Sequence, residues 1–128
     1  MKNYFFLLAG LCMLSACSGP EKFVQEDVTA FNVQISGRTD IEDAATLMEL
    51  YYPVPETEGN SSRKLRAEKE EDGSYLIVLR QEGLSDDSQA GVQIRMKARQ
   101  TGQVQSIEKN WKCHQGRGHR SWGTEPCI

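Results

Sequence analysis

Residues 91–99 alternate without a break: Val92, Ile94, Met96 and Ala98 on one side, Gln93, Arg95, Lys97 and Arg99 on the other. Successive side chains of a strand point to opposite faces, so this pattern is a strand with one buried and one wet face. Such a strand commits the chain to a layered fold, because its apolar face must be covered by something else. Its neighbours follow from turn chemistry. Thr101-Gly102 turns the chain into a last strand over 103–112, where Val104 falls out of phase with Ile107 and Trp111 and predicts a bulge. Upstream, residues 74–80 are apolar on both faces (Tyr75, Ile77 and Leu79; Leu76 and Val78), which fits a central strand. Asp72-Gly73 is a two-residue hairpin turn. It makes 63–71 an edge strand despite a helix-favouring composition, and charges on an edge discourage aggregation. Residues 82–90 form a polar loop.

The first half is read the same way. In 29–37, Phe31, Val33 and Ile35 alternate with Asn32, Gln34 and Ser36, which predicts another half-buried strand ended by Gly37. Thr39-Asp40-Ile41-Glu42 has the form of a capping box, with Thr39 as N-cap. Ile41, Ala44, Ala45, Met48 and Tyr51 or Tyr52 then share a helical face flanked by Leu47 and Leu50, and Pro53 stops the helix near Tyr51. Residues 53–62 are a loop; its Asn60-Ser61-Ser62 fits a glycosylation sequon by chance. The expected fold class is α+β: one helix on a curled antiparallel sheet of four to five strands. Cystatin-like and NTF2-like folds share that outline, an analogy of fold that carries no function.

Residues 1–16 have the layout of a secretory signal: Lys2 as the positive n-region, a short apolar run over 4–14, and small Ser15 and Ala16 before a cut. The run is far shorter than the roughly 20 residues that span a bilayer. Leu14-Ser15-Ala16-Cys17 resembles the lipobox of bacterial lipoproteins at every position. The resemblance covers only the signal and cleavage site. It implies diacylation of the Cys17 thiol with palmitate-like chains, cleavage before Cys17 and acylation of the new amine, and several chains hold a membrane stably where one does not. Cys12 does not compete, since bulky Leu11 precedes it. Ser18, a residue other than Asp after the lipidated cysteine, implies sorting to the outer membrane in the enterobacterial pattern, with the domain facing the periplasm. The expected organisation is a signal peptide over 1–16, a lipidated Cys17 with a flexible tether over 17–28 that stands the domain off the membrane, and one domain over 29–128.

Export of this kind places the remaining cysteines, Cys113 and Cys127, in an oxidising compartment where such pairs form disulfides. The loop would span about 15 residues, a contribution of about 3 kcal/mol in the chain-entropy model. Within 111–127 lie both tryptophans, both histidines and both of these cysteines. The segment resembles the endings of small uncharacterised proteobacterial envelope proteins, which brings no activity with it. Three readings compete. Cys113, His114, His119 and Cys127 have the ligand types of a zinc site, against which stand the adjacency of Cys113 and His114 and the oxidation of the thiols. Arg117, His119, Arg120 and Trp122 could form a recognition loop, with Gly116 and Gly118 letting backbone N–H groups approach an anion. Or the segment is a structural staple with solvated arginines.

Charge is uneven. Residues 21–90 carry 16 acidic and 7 basic side chains, while 95–120 carry 7 basic and 1 acidic. Arg95, Lys97 and Arg99 would form a basic stripe able to meet lipid headgroups, lipopolysaccharide or an acidic partner; the plainer reading is the wet face of an antiparallel sheet. Motifs for a nucleophile elbow, a zinc protease and a phosphate loop are missing from the sequence, and Ser85, Asp86, Asp87 and Ser88 lack the spacing of a calcium loop. The expectation is a membrane-anchored envelope lipoprotein that is not an enzyme and needs no cofactor or metal. It would bind or assemble with a protein or anionic envelope partner, not nucleic acid, through the basic C-terminal loop and the stripe. The alternatives are an inhibitor of an envelope-targeting enzyme such as lysozyme, whose Ser-Gly motif Asp72-Gly73-Ser74-Tyr75 only echoes, and an enzyme built around His119. A pilin-like subunit fits the cysteine loop but not the short apolar N-terminus.

Overall fold

The structure is a computed structural model that describes residues 19–54 and 61–128. The signal, Cys17, Ser18 and Asn60 lie outside the described residues. The chain forms β1 (Val24–Glu26), α1 (Thr29–Ile35), α2 (Ala44–Tyr51), β2 (Ser62–Lys69), β3 (Tyr75–Glu82), β4 (Gln89–Ala98) and β5 (Val104–Cys113). The strands make one antiparallel sheet in the order β1-β5-β4-β3-β2. Both helices lie on one face, where Phe31, Ile35, Leu47 and Met48 meet Ile77, Leu79, Val92, Ile94, Met96 and Ile107 in a single core. The α+β class is therefore as expected, with two helices rather than one. Among the described residues no helix is long and apolar enough to cross a membrane.

The four strands from β2 to β5 stand where the alternation put them. Ile94, Met96 and Ala98 are at most 1 % exposed, and β2 is an edge strand paired along its whole length with β3. The expected bulge falls at Gln105: Lys97 faces Ser106 and Ala98 faces Val104, so one residue of β5 is left over and Val104 regains the core face. The hairpin turn at Asp72-Gly73 is one residue longer than the two-residue form. The Glu70 N–H donates to Ser74 O (2.7 Å) and the Gly73 N–H to Glu70 O (3.0 Å), with Gly73 at φ +86°. The β4–β5 turn repeats this geometry, Gly102 (φ +89°) taking the place of Gly73. A type I turn closed by a left-handed glycine has this form.

Four expectations need correcting. Residues 29–35 are a helix, not a strand. Phe31 and Ile35 are buried while Val33 is 72 % exposed, so the apolar spacing that matters is four, not two. The helix is fixed by Asn32, whose side-chain amide donates to Val104 O and accepts from Val104 N, both at 2.9 Å, and so pairs with the end of β5 as a strand would. Next, α2 starts at Ala44 rather than after Thr39. Asp43 is the N-cap and accepts from the Thr46 N–H at 2.9 Å, whereas Asp40 is held by Arg38 through an ion pair and its carboxyl is pulled down to about 2 by that hydrogen bond. The capping carboxylate thus comes four residues later and satisfies a free N–H of the first turn of α2, that of Thr46. Leu47, expected as a flank, is 2 % exposed and belongs to the core.

The tether is also shorter than 17–28. Val24–Glu26 pairs with Ile107–Lys109, the Lys109 ammonium meets the Glu26 carboxylate at 2.6 Å, and Phe23 lies under the Arg95 guanidinium at 4.4 Å. Ordering these residues is offset by strand pairing on the otherwise open edge of β5.

The helix at 29–35 has a direct test. Val33→Asp should change the urea unfolding free energy by less than about 0.5 kcal/mol, as surface substitutions do. Phe31→Ala should cost about 3 kcal/mol. Equal losses at the two sites would restore the strand.

Candidate functional site

The C-terminal segment folds back onto one end of the sheet. Cys113, the last residue of β5, is joined to Cys127 by a disulfide with a Cα–Cα distance of 5.6 Å. Two residues before Cys113, Trp111 of β5 forms an antiparallel bridge with Gly123, with N–H···O distances of 2.9 and 2.8 Å. The Cys113 N–H donates to His119 O and the Ile128 N–H to Arg117 O. Trp122 then lies across the face of the sheet opposite the helices. It can do so because residue 91 is glycine: a Cβ there would stand 3.1 Å from the Trp122 ring and 3.1 Å from Gln81 O. Two cations lie over the ring, with Arg80 at 5.1 Å and Lys112 at 5.0 Å from its centroid. Lys112 in turn pairs with Glu82, which lowers that carboxyl from its usual range.

Of the four recognition candidates, three are engaged within the chain. Trp122 is packed as described, and Arg117 Nη1 donates to the Ile128 main-chain oxygen at 3.3 Å. His119 has Nδ1 at 2.7 Å from Ser121 O and Nε2 at 2.8 Å from Glu125 O. A carbonyl only accepts, so both contacts are hydrogen bonds only when both ring nitrogens carry protons. The Ser121 carbonyl first, and that of Glu125 second, hold the imidazole pKa above its ordinary value. Arg120 is exposed and has no partner among the described residues. The possible metal ligands divide: Cys113, His119 and Cys127 place ligand atoms within 4.8 Å of one another and His114 stays apart. The disulfide takes up both thiols and both imidazole nitrogens face carbonyl oxygens, so as folded this set does not present the thiolate and free imidazole donors of a zinc site.

The basic stripe is largely neutralised across the sheet. Arg95 Nη2 reaches Glu108 at 2.8 Å, and Lys97 Nζ lies 3.6 Å from Asp72 and 4.0 Å from Glu70. Arg99 alone of the three has no ionic partner among the described residues. It stands at the opposite end of the sheet from the disulfide, on a cleft of about 590 Å³ between the loop after α1 and the β4–β5 turn. Ile35, Ile41 and Leu47 give this cleft an apolar wall; Arg38, Asp43, Arg99 and Gln103 give it polar groups. Sites for small molecules combine these features in this size range. Except for Arg99, nothing in the sequence pattern marks this cleft, because it joins segments some sixty residues apart. The turn glycines Gly37 and Gly102, both at positive φ, were its nearest signal.

In comparisons with known proteins, no family model, no curated protein and no solved structure matches this chain.

Two measurements test the stapled end. Both carbonyl contacts favour the charged imidazole, so the stability His119 contributes is fully present below the ordinary histidine pKa of 6.5 and is lost as pH rises through the raised folded value. An NMR titration should place its midpoint above 6.5, and a midpoint at or below that value would contradict the double hydrogen bond. Thiol counting on denatured, unreduced protein should find Cys113 and Cys127 unreactive. Replacing both by alanine should cost about 3 kcal/mol, the loop-closure value for a span of this length.

Proposed function

We propose that this chain is a lipid-anchored, non-enzymatic binding domain of a bacterial envelope, held through Cys17 at the outer membrane and facing the periplasm. The lipobox supports the anchor. The stapled C-terminal end acts as a fixed base, and the partner meets the opposite end of the sheet. The observation that carries the binding role is Arg99, a cation with no ionic partner among the described residues, on the rim of the cleft between the loop after α1 and the β4–β5 turn. Its stripe neighbours Arg95 and Lys97 are already ion-paired. Such a guanidinium beside exposed turn backbone suits a carboxylate or phosphate group on the partner.

Two other readings are less well supported. An enzyme using His119 would need a free imidazole nitrogen as base, and both face carbonyl oxygens. An inhibitor presenting the 72–75 turn would need Ser74 at its surface. Ser74 is 6 % exposed, and its backbone N–H donates to Asp72 Oδ1 at 2.9 Å.

A photo-crosslinker at Thr101 in intact cells should capture a discrete partner. Arg99→Glu should lower that capture about tenfold, the loss expected for one charge-assisted hydrogen bond, with an unchanged unfolding midpoint. Capture indifferent to Arg99→Glu would contradict the placement of the site.

A further inference from the structure

The distance between the lipid and the folded domain is set by covalent reach. Glu21 is tied to the sheet by the Gln93 side chain (3.1 Å), Lys22 O accepts from Asn110 Nδ2 (3.1 Å), and Phe23 stacks with Arg95. The chain is therefore already held to the domain at residue 21. Gly19 and Pro20 line a cleft together with His119, Trp122 and Glu125, at the stapled end of the sheet. Only Ser18 lies between Cys17 and Gly19, two residue steps that span at most about 7 Å. Acyl chains on Cys17 enter the hydrocarbon core, and the headgroup layer above it is roughly 5–8 Å thick. Gly19 is therefore kept close to that layer by covalent reach alone.

This reach decides which surface meets the bilayer. Gly19 shares its cleft with residues on either side of Arg120, and Lys22 is three residues further on. Lys22 and Arg120 are both exposed, and neither has an ionic partner among the described residues. The acidic groups at this end are mostly engaged: Glu21 with Gln93, Glu82 with Lys112, and Asp86 with the Ser88 and Gln89 N–H groups. Asp87 is exposed, and the Glu125 carbonyl, not its carboxylate, makes the contacts that hold the loop. Headgroup charge is felt over about 8 Å at physiological ionic strength, so cations held this close to the anchor lie within its range.

We propose that the stapled end of the domain rests on the membrane, with Lys22 and Arg120 against the phosphates of anionic lipid headgroups. The partner is the bilayer surface itself, not free phosphate. The inference rests on the anchoring of Cys17 proposed above. It sets the domain upright: β4 runs ten residues from the base to the Arg99 end, about 33 Å at strand rise, so the Arg99 cleft opens away from the bilayer.

The test uses the full-length protein as processed and purified from cells, in vesicles of phosphatidylglycerol and in vesicles of phosphatidylcholine. Mass spectrometry of its N-terminal peptide first reads acylation of Cys17. Amine-reactive labelling then compares Lys22 with Lys69, which lies at the far end of the sheet next to Tyr75. Relative to Lys69, Lys22 should label roughly fivefold more slowly in the anionic vesicles than in the neutral ones, the effect of one cation at an anionic surface. Arg120→Gln should shrink that ratio. Free phosphate at millimolar concentration in place of anionic lipid should not reproduce it. An acylated protein whose Lys22 labels equally in both vesicles would overturn this inference alone. An unacylated Cys17 would overturn both it and the anchoring reading.

Discussion

One main-chain oxygen, that of Glu125, holds the end of this chain in place. It accepts from the indole N–H of Trp111 at 2.9 Å and from Nε2 of His119 at 2.8 Å. The first bond ties the returning segment to β5, and the second ties the segment to itself. Two residues later the disulfide closes the same loop covalently. A small domain has a modest core, and a cross-link that restricts its unfolded chain is a supplement to it. Here the supplement also uses up the chemistry of the segment. Its thiols, both nitrogens of its imidazole, one indole N–H and one arginine are spent on intramolecular bonds.

β5 is the strand on which both chain ends converge. It pairs with β4 on one side; on the other it takes β1 near its middle and Gly123 near its end. The incoming chain and the outgoing chain therefore meet at the same edge and the same end of the sheet. At the other end, the loop after α1 and the β4–β5 turn leave a cleft, with Asn32 clamping α1 to Val104 beneath it. One end of the sheet is closed by the chain's own termini and the other is open. The proposed base and the proposed partner surface follow from that asymmetry.

The sheet was legible because burial on one side imposes a period of two, and β4 shows it in Val92, Ile94, Met96 and Ala98. The same rule misled at 29–35. Phe31, Val33 and Ile35 satisfy a period of two, while Phe31 and Ile35 alone satisfy a spacing of four. Only the exposure of Val33 separates the cases, and that is a tertiary fact. The cysteine pair was legible from the compartment that the lipobox implies. The basic stripe was visible as Arg95, Lys97 and Arg99, but its neutralisation was not, since it needs the register that sets Arg95 opposite Glu108. Likewise His119 could be singled out by residue type, but not its two carbonyl partners, which loop geometry alone supplies.

The most direct test of the account is amide hydrogen exchange at Trp111, Cys113, Gly123 and Ile128, whose N–H groups make the bonds that fold the terminus back. In the oxidised protein they should exchange as slowly as the β3–β4 amides. On reduction of the disulfide, Gly123 and Ile128 should lose protection while β3 and β4 keep theirs. Fast exchange at Gly123 and Ile128 in the oxidised protein would contradict the account. It would show a C-terminal loop free of the sheet, with Arg117, His119 and Trp122 available to a partner.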